Sequence, residues 1–173
     1  MAANGAVLFR EKQRFRLGYA RIALAMPPAI LAVISCRQIV WHHPWGNPPV
    51  TNGHLLFLTI LTLLVYLRLI TVRLVTELRP ERLSVAMKGF WRRSRIPVAD
   101  IRTAAAVEYD PIGEYGGYGV RMGPRGQAYI ASGNQAVQLE LRDGRKLLVG
   151  SQLSKELARK IVEAQRGAVI SAK

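Results

Sequence analysis

Two stretches near the start of the chain contain almost no polar residues. Fifteen residues without a charge separate Arg21 from Arg37, and a second apolar run covers 55–72 with one charge, at Arg68. Apolar residues occur on all sides of both runs, as in helices that are surrounded by lipid. The pattern predicts two membrane-spanning helices at about 20–40 and about 55–75, joined by a loop at 41–54.

Both apolar runs are short for a bilayer. A fifteen-residue helix extends about 22 Å, whereas the hydrocarbon core is about 30 Å thick. Flanking arginines lengthen the span, because their stems lie along apolar surface while the guanidinium reaches the headgroups. We expect a bend at Pro27 and Pro28, which remove backbone donors. Two buried helices of a soluble protein are the alternative, but the rest of the chain is too small to cover them.

Basic residues lie at the two ends of the predicted hairpin and not in its loop. Lysines and arginines precede the first helix and follow the second, while 41–53 contains neither. Cytoplasmic flanks carry the excess of lysine and arginine, so both termini are expected in the cytoplasm. Trp41 and Trp45 are expected at the outer interface, where indole rings are enriched.

The segment 1–16 interleaves basic and apolar residues, with Phe9 and Phe15 among the latter. This composition predicts a basic amphipathic segment that lies on the membrane surface. A solvated tail and a contact with a partner protein remain open alternatives.

From Thr76 onward the chain alternates in short segments separated by turns, which is typical of an antiparallel sheet. Asp143-Gly144 is the turn of the clearest hairpin. A closing helix is predicted from Ser151 or Ser154 to Gly167, with Leu153, Leu157, Ile161 and Val162 on one face. The predicted strands are 82–87, 90–96 (ended by Pro97), 101–109, 135–141 and 146–150, although the alanines of 101–109 also suit a helix.

The order of these pieces resembles the bacterial pleckstrin-homology-like (PH-like) domain, in membrane proteins where one or two helices precede it. The resemblance rests on LRPERLSVAMKGFWRRSRIPVADIRTAAAVEY, YGGYGVR and GNQAVQLELRDGRKLLVGS, of which IPVADI and DGRKLLVGS are the most specific parts. It implies a membrane α-helical hairpin (17–75), a mainly-β PH-like domain (76–166) and a tail (167–173). The domain is expected to be a half-open barrel of about six or seven strands with one C-terminal helix. Such domains bind proteins or lipids and are not catalytic.

The formal net charge of +14 at pH 7 suits nucleic-acid binding as well as membrane contact. A soluble nucleic-acid module has no need of long apolar runs. Basic residues beside such runs instead fit an anionic leaflet. No nucleic-acid partner is therefore expected.

Catalytic and metal-binding patterns do not emerge from the sequence. Cys36 is the only cysteine and the histidines are His42, His43 and His54, so 76–166 offers no Ser/His/Asp or Cys/His arrangement. The glycines of YGGYGVR (115–121) do not complete a phosphate-binding motif, and we expect them to permit a bulge or a close strand crossing. No catalytic residue, cofactor, metal ligand or small-molecule substrate is predicted.

The candidate site is a set of residues that face the membrane or its lipids. The anionic inner leaflet attracts cations near the bilayer, and indole rings anchor at its interfaces. The predicted residues are Arg10, Arg14, Arg16, Arg21, Trp41, Trp45, Arg68, Arg73, Lys88, Arg92, Arg93 and Arg95.

These observations predict a non-enzymatic, membrane-anchored adaptor in the bacterial inner membrane. Its partners are expected to be the bilayer and other integral membrane proteins. An accessory, assembly or stabilising subunit of a larger complex fits best, and the resemblance extends to assembly factors of photosynthetic reaction centres; an antenna or respiratory complex is also compatible. The alternative is a lipid-sensing module that binds anionic headgroups through the basic hairpin predicted from strands 82–87 and 90–96, which carries Lys88, Arg92, Arg93 and Arg95. Transport would require an oligomer.

Overall fold

The computed structural model describes residues 6–15, 18–89 and 92–171. The chain forms two compact units. The helical unit is Leu17–Thr71, and the β unit combines Met1–Arg16 with Val72–Lys173. The β unit is therefore built from chain on both sides of the helical unit.

The helical unit contains α1 (Tyr19–Val40) and α2 (Asn52–Ile70). Arg21–Val40 has 20 residues and a mean hydropathy of 1.6, and α2 has 19 residues and a mean hydropathy of 2.0. Both are long and apolar enough to cross a membrane, and only 17% and 6% of an 18-residue apolar stretch in each is buried. Core helices of a soluble protein are mostly buried, so this exposure disfavours the soluble alternative. α1 continues as one helix through Pro27 and Pro28.

Polar side chains join the two helices and their loop. The hydroxyls of Ser35 and Thr59 are 3.0 Å apart across the helix pair. Near the loop, Gln38 Nε2 donates to the carbonyl oxygen of Val50 at 2.6 Å and to Asn52 Oδ1 at 2.7 Å. These bonds hold the end of α1 against the start of α2. The second helix begins at Asn52 and ends at Ile70, earlier at both ends than the predicted 55–75.

The first sheet of the β unit has the strand order β1-β2-β3-β4, with all neighbours antiparallel. The helical unit lies in the chain between its first two strands. Arg14, at the end of β1, is opposite Arg73, at the start of β2, so the chain leaves and re-enters the sheet at paired positions. The strands are β1 (Phe9–Arg14), β2 (Arg73–Leu78), β3 (Arg82–Lys88) and β4 (Arg92–Pro97).

The second sheet has the order β5-β8-β9-β7-β6, in which only β7 and β9 are parallel. A short 3-10 turn, Val98–Asp100, connects the sheets. The closing helix α3 (Ser154–Ser171) packs on β5 and β8. The strands are β5 (Ile101–Glu108), β6 (Gly119–Gly123), β7 (Gly126–Ile130), β8 (Gln135–Leu141) and β9 (Lys146–Gly150).

The core of the β unit lies between the sheets and α3. Leu83 and Val85 of the first sheet, Leu139 of the second and Leu157 and Ile161 of α3 are fully buried. Burial of such side chains contributes about 1.5–3 kcal/mol each and makes this packing the main source of stability. Leu153, predicted on the same helical face, precedes α3 and is exposed.

Several predicted boundaries differ from the structure. The residues assigned to a separate surface segment, 1–16, include β1, which pairs with β2, and the β unit resumes at Val72 rather than at 76. The predicted helix end at Gly167 is wrong, because α3 continues to Ser171 and includes residues assigned to the tail. A glycine inside a helix costs only about 1 kcal/mol, so packing of the preceding turns overrides it. The described residues form nine strands, against six or seven predicted.

Candidate functional site: a basic sheet face

The first sheet has one buried and one outward face. Side chains alternate along each strand, so Leu74, Leu83 and Val85 point into the core while their neighbours face outward. The outward residues are mostly basic, and we call this surface the basic sheet face. It comprises eight cations: Arg10, Lys12 and Arg14 on β1, Arg73 on β2, Arg82 and Lys88 on β3, and Arg93 and Arg95 on β4.

Cations oppose one another across these strands. Arg73 is opposite Arg14 on one side and Lys88 on the other, so one row of the sheet carries three positive charges. Directly opposite Cβ atoms are about 4.5–5.5 Å apart, and like charges at this spacing destabilise a sheet. An anionic surface placed against this row would remove the repulsion.

Glu77 is the one carboxylate among the described outward residues of these strands. Its oxygens lie 2.8 Å from Arg79 Nε and 3.8 Å from Arg10 Nε. The hydrogen bond from Arg79 is the main cause that lowers the pKa of Glu77, helped by the charges of Arg79, Arg10 and Arg82 and opposed by partial burial. Glu77 therefore stays ionised and offsets one of the positive charges, which leaves the face strongly basic.

The basic sheet face is a surface and not a binding pocket. A depression of about 200 Å³ lies at its centre, with Ser84, Ala86 and Val75 at its floor and cations around it. Small-molecule sites usually enclose about 300–1,000 Å³. The depression is too small to enclose a large ligand, but the face presents its charges to any flat anionic partner.

A polar network fixes β1, the strand that carries three of the cations. The Glu11 carboxylate accepts hydrogen bonds from Ser151 Oγ at 2.6 Å, from Gln152 N at 3.0 Å and from Gln13 Nε2 at 3.0 Å. Gln13 is buried, and its Nε2 also donates to the carbonyl oxygen of Gly150 at 3.0 Å. These bonds join the inner face of β1 to the segment between β9 and α3.

The structure gathers half of the predicted membrane-facing residues on this one face: Arg10, Arg14, Arg73, Lys88, Arg93 and Arg95. Arg16 lies outside the described residues, and only the backbone of Arg92 is described. The other predicted residues belong to the helical unit, where all are exposed: Arg21, Trp41, Trp45 and Arg68.

Two members of the face were missed as candidate site residues. Lys12 and Arg82 are exposed and complete the outward positions of β1 and β3. The alternation in FREKQR, with Arg10, Lys12 and Arg14 two residues apart, is the pattern typical of one strand face and was the available signal.

The glycine-rich segment before β6 has a conformational role. Gly116, Gly117 and Gly119 have φ values of 67°, 118° and 124°, which other residues rarely adopt. Beside them, Tyr115 packs edge-on against Tyr109 with ring centroids 6.0 Å apart, and burial raises the pKa of both hydroxyls. The glycines thus permit the turns that place Tyr115 in the core.

Within the residues that the structure describes, no group of three or more His, Cys, Asp or Glu side chains is placed to hold a metal ion. Comparison of the sequence with protein-family models and with curated proteins finds no match.

Proposed function

We propose that this chain is a non-catalytic, membrane-anchored adaptor, in which the helical unit spans the bilayer and the β unit docks onto another membrane protein. The observation that carries the proposal is the position of the hairpin within the fold. It is inserted between two directly paired strands, which end and begin at Arg14 and Arg73. A two-helix hairpin returns the chain to the side of the membrane from which it started. Because β1 ends beside the start of β2, short connections are enough to join both strands to the two helices.

Charge supports one orientation of this hairpin. The 41–51 loop contains no lysine or arginine, whereas both strands adjoining the helices are rich in them. The positive-inside bias then favours a cytoplasmic β unit and cytoplasmic termini in a bacterial inner membrane. The exposed Trp41 and Trp45 suit the outer interface.

The β unit is proposed to be PH-like. Its two sheets of 4 and 5 strands and its closing C-terminal helix fit the architecture that the sequence resemblance implies. The resemblance implies a binding role. β1, the strand that precedes the helical hairpin, was not part of the arrangement expected from the sequence. Each sheet has two edge strands, β1 and β4 in the first and β5 and β6 in the second, and strands at such edges can bind a partner through their backbone groups.

The exposed apolar surface of the helices supports a partner inside the membrane. Large apolar side chains such as Phe57 and Leu64 are 63% and 58% exposed within this chain. Lipid alone satisfies such residues, but spans that depend on arginine stems for their length are better accommodated beside other membrane helices. An accessory, assembly or stabilising subunit of a larger complex is therefore the role we favour.

Purification in mild detergent with identification of co-eluting chains tests the adaptor function. We expect a stable integral membrane partner in constant ratio. A matched variant replaces α1 and α2 by unrelated apolar helices of equal length, which preserves anchoring but removes specific helix contacts. Retention of the partner by this variant would place docking on the β unit. A chain that is consistently solitary and monomeric would contradict the proposal.

A second candidate function is lipid binding at the inner leaflet. The observation that favours it is the basic sheet face, with eight cations and one carboxylate in its outward strand positions. The two functions are compatible, because a domain held on lipid through one face leaves its other surfaces open to a protein.

A further inference from the structure

We infer that the basic sheet face is the surface by which the β unit lies flat on anionic phospholipid headgroups of the leaflet nearest to it. The inference rests on the membrane anchoring in the proposed function. It goes further by naming the docking surface, its ligand chemistry and the strands that carry it. The residues Lys88, Arg93 and Arg95 of the predicted basic hairpin supply only part of this surface, and β1, β2 and Arg82 of β3 supply the rest.

The arrangement of charge is the first reason. Three cations in one cross-strand row repel one another, and the face has a single carboxylate to offset them. The repulsion within this row lowers the stability of the folded sheet, and a neighbouring anionic surface would offset that loss of stability. Each cation close to an anionic leaflet strengthens adsorption by about fivefold, and the effect extends for about one Debye length, roughly 8 Å in physiological salt.

The covalent chain is the second reason. Arg73 follows the last residue of α2 by three positions, and Arg14 precedes the first residue of α1 by five. An extended chain spans at most about 3.6 Å per residue, so the two cations remain within about 11 Å and 18 Å of their helix ends. The row that contains Arg14 and Arg73 is thus constrained to the vicinity of the bilayer whenever the helices span it.

The shape of the face determines the kind of recognition. Outward residues on four strands cover about 14 Å across the sheet, from the interstrand spacing of about 4.8 Å. The central depression of about 200 Å³ is smaller than the pockets of about 300–1,000 Å³ that usually enclose small molecules. Binding is therefore expected to follow the negative charge density of the leaflet, with phosphatidylglycerol and cardiolipin exchangeable at equal charge.

A flat acidic protein surface is the competing partner for this face. The observations favour lipid because two of the cations, Arg14 and Arg73, adjoin the apolar helices in the chain, where the leaflet is present at high local concentration. An acidic protein would need a matching pattern of carboxylates. The two partners are separated by the lipid dependence of docking in the purified full chain.

The test uses the full chain in nanodiscs, with Cys36→Ser as the background. One fluorophore is placed at Ser84→Cys, in the centre of the basic sheet face, and a control fluorophore at Thr103→Cys, which is exposed on β5 in the second sheet. Nitroxide-labelled headgroups quench a fluorophore that approaches the leaflet. We expect stronger quenching at position 84 in discs with about 30% phosphatidylglycerol than in pure phosphatidylcholine, and its reversal by about 0.5 M salt.

Charge variants make the test quantitative. Lys12→Gln, Arg93→Gln and Arg95→Gln together remove three cations of the face. At about fivefold per charge, the ratio of docked to undocked β unit should fall by about 100-fold. The matched control removes three exposed cations that lie elsewhere in the β unit and is expected to leave docking unchanged: Arg102→Gln, Lys155→Gln and Arg166→Gln.

The outcomes distinguish this inference from the proposed function. A chain that does not incorporate into nanodiscs overturns membrane anchoring and the inference with it. A chain that incorporates but shows equal quenching in neutral and anionic discs overturns leaflet docking alone. Equal losses in the face and control variants would also overturn it, because binding would then depend on net charge.

Discussion

Replacement of Glu11 by alanine is expected to release β1 from the rest of the β unit. The carboxylate accepts three hydrogen bonds, at 2.6 Å from Ser151 and at 3.0 Å each from Gln152 and Gln13. A hydrogen bond to a charged group contributes about 1.5–3 kcal/mol, and water replaces part of this at a half-buried site. We expect a loss of about 2–3 kcal/mol in the local stability of β1.

Hydrogen exchange of the full chain in mild detergent measures this loss directly. A change of about 2–3 kcal/mol corresponds to amide exchange about 30- to 140-fold faster in Phe9–Arg14. Glu81→Ala is the matched control, since this glutamate is exposed and its carboxylate has no hydrogen-bond partner among the described residues. Exchange of β1 that stays within about threefold of the unchanged chain would refute the role of the network. An equal acceleration in Gln135–Leu141 would indicate global destabilisation instead.

Three further predictions concern single positions. Gly126→Ala should destabilise the β unit by about 2 kcal/mol or more in thermal unfolding, because φ is +91° and a Cβ would collide with the carbonyl oxygen of Lys146. Glu77→Gln should lower the stability of the β unit near neutral pH. The difference from the unchanged chain should vanish as the pH falls through the pKa of Glu77, which lies below its ordinary value of 4.5. A difference that persists in acid would contradict the role of the hydrogen bond from Arg79. Gln38→Ala should speed proteolysis of the 41–51 loop, whereas cleavage at an unchanged rate would show that its hydrogen bonds do not order the loop.

Strong local patterns in the sequence predicted much of the fold. The alternation and turn residues of the last hairpin gave β8 and β9 with their observed bounds, Gln135–Leu141 and Lys146–Gly150. Both apolar helices were also predicted, because hydropathy over about 20 residues is a property of the segment itself. Their spans in the structure begin and end within a few residues of the predicted ones, except at the end of α2.

Elements that depend on distant partners were missed. β1 is a short, highly charged segment, FREKQR, and it becomes a strand because β2, which follows it only after the whole helical unit, provides its hydrogen-bonding edge. β6 and β7 carry little alternation; they pair with each other as a local antiparallel hairpin, and β7 joins the rest of the sheet through its parallel contact with the distant β9. Local pattern carries no information about such non-local pairing.

The candidate site was predicted as a list of cations rather than as a surface. The sequence placed arginines near the membrane through their position beside the apolar runs, and this identified six of the eight residues of the basic sheet face. Their common orientation follows from strand register, which becomes readable only when β1 is known to pair with β2. Lys12 was missed although it lies between Arg10 and Arg14, because its segment was predicted as a surface-lying stretch and not as a strand with alternating faces.

Alkaline carbonate extraction tests the central claim that the hairpin anchors this β unit in a membrane. Carbonate strips proteins that are held at a membrane by charge, including any held only through the basic sheet face, but it leaves spanning helices in the lipid. We expect the full chain to remain in the membrane pellet, with or without the substitutions Lys12→Gln, Arg93→Gln and Arg95→Gln. Release of the unchanged chain into the supernatant would contradict membrane anchoring by the hairpin.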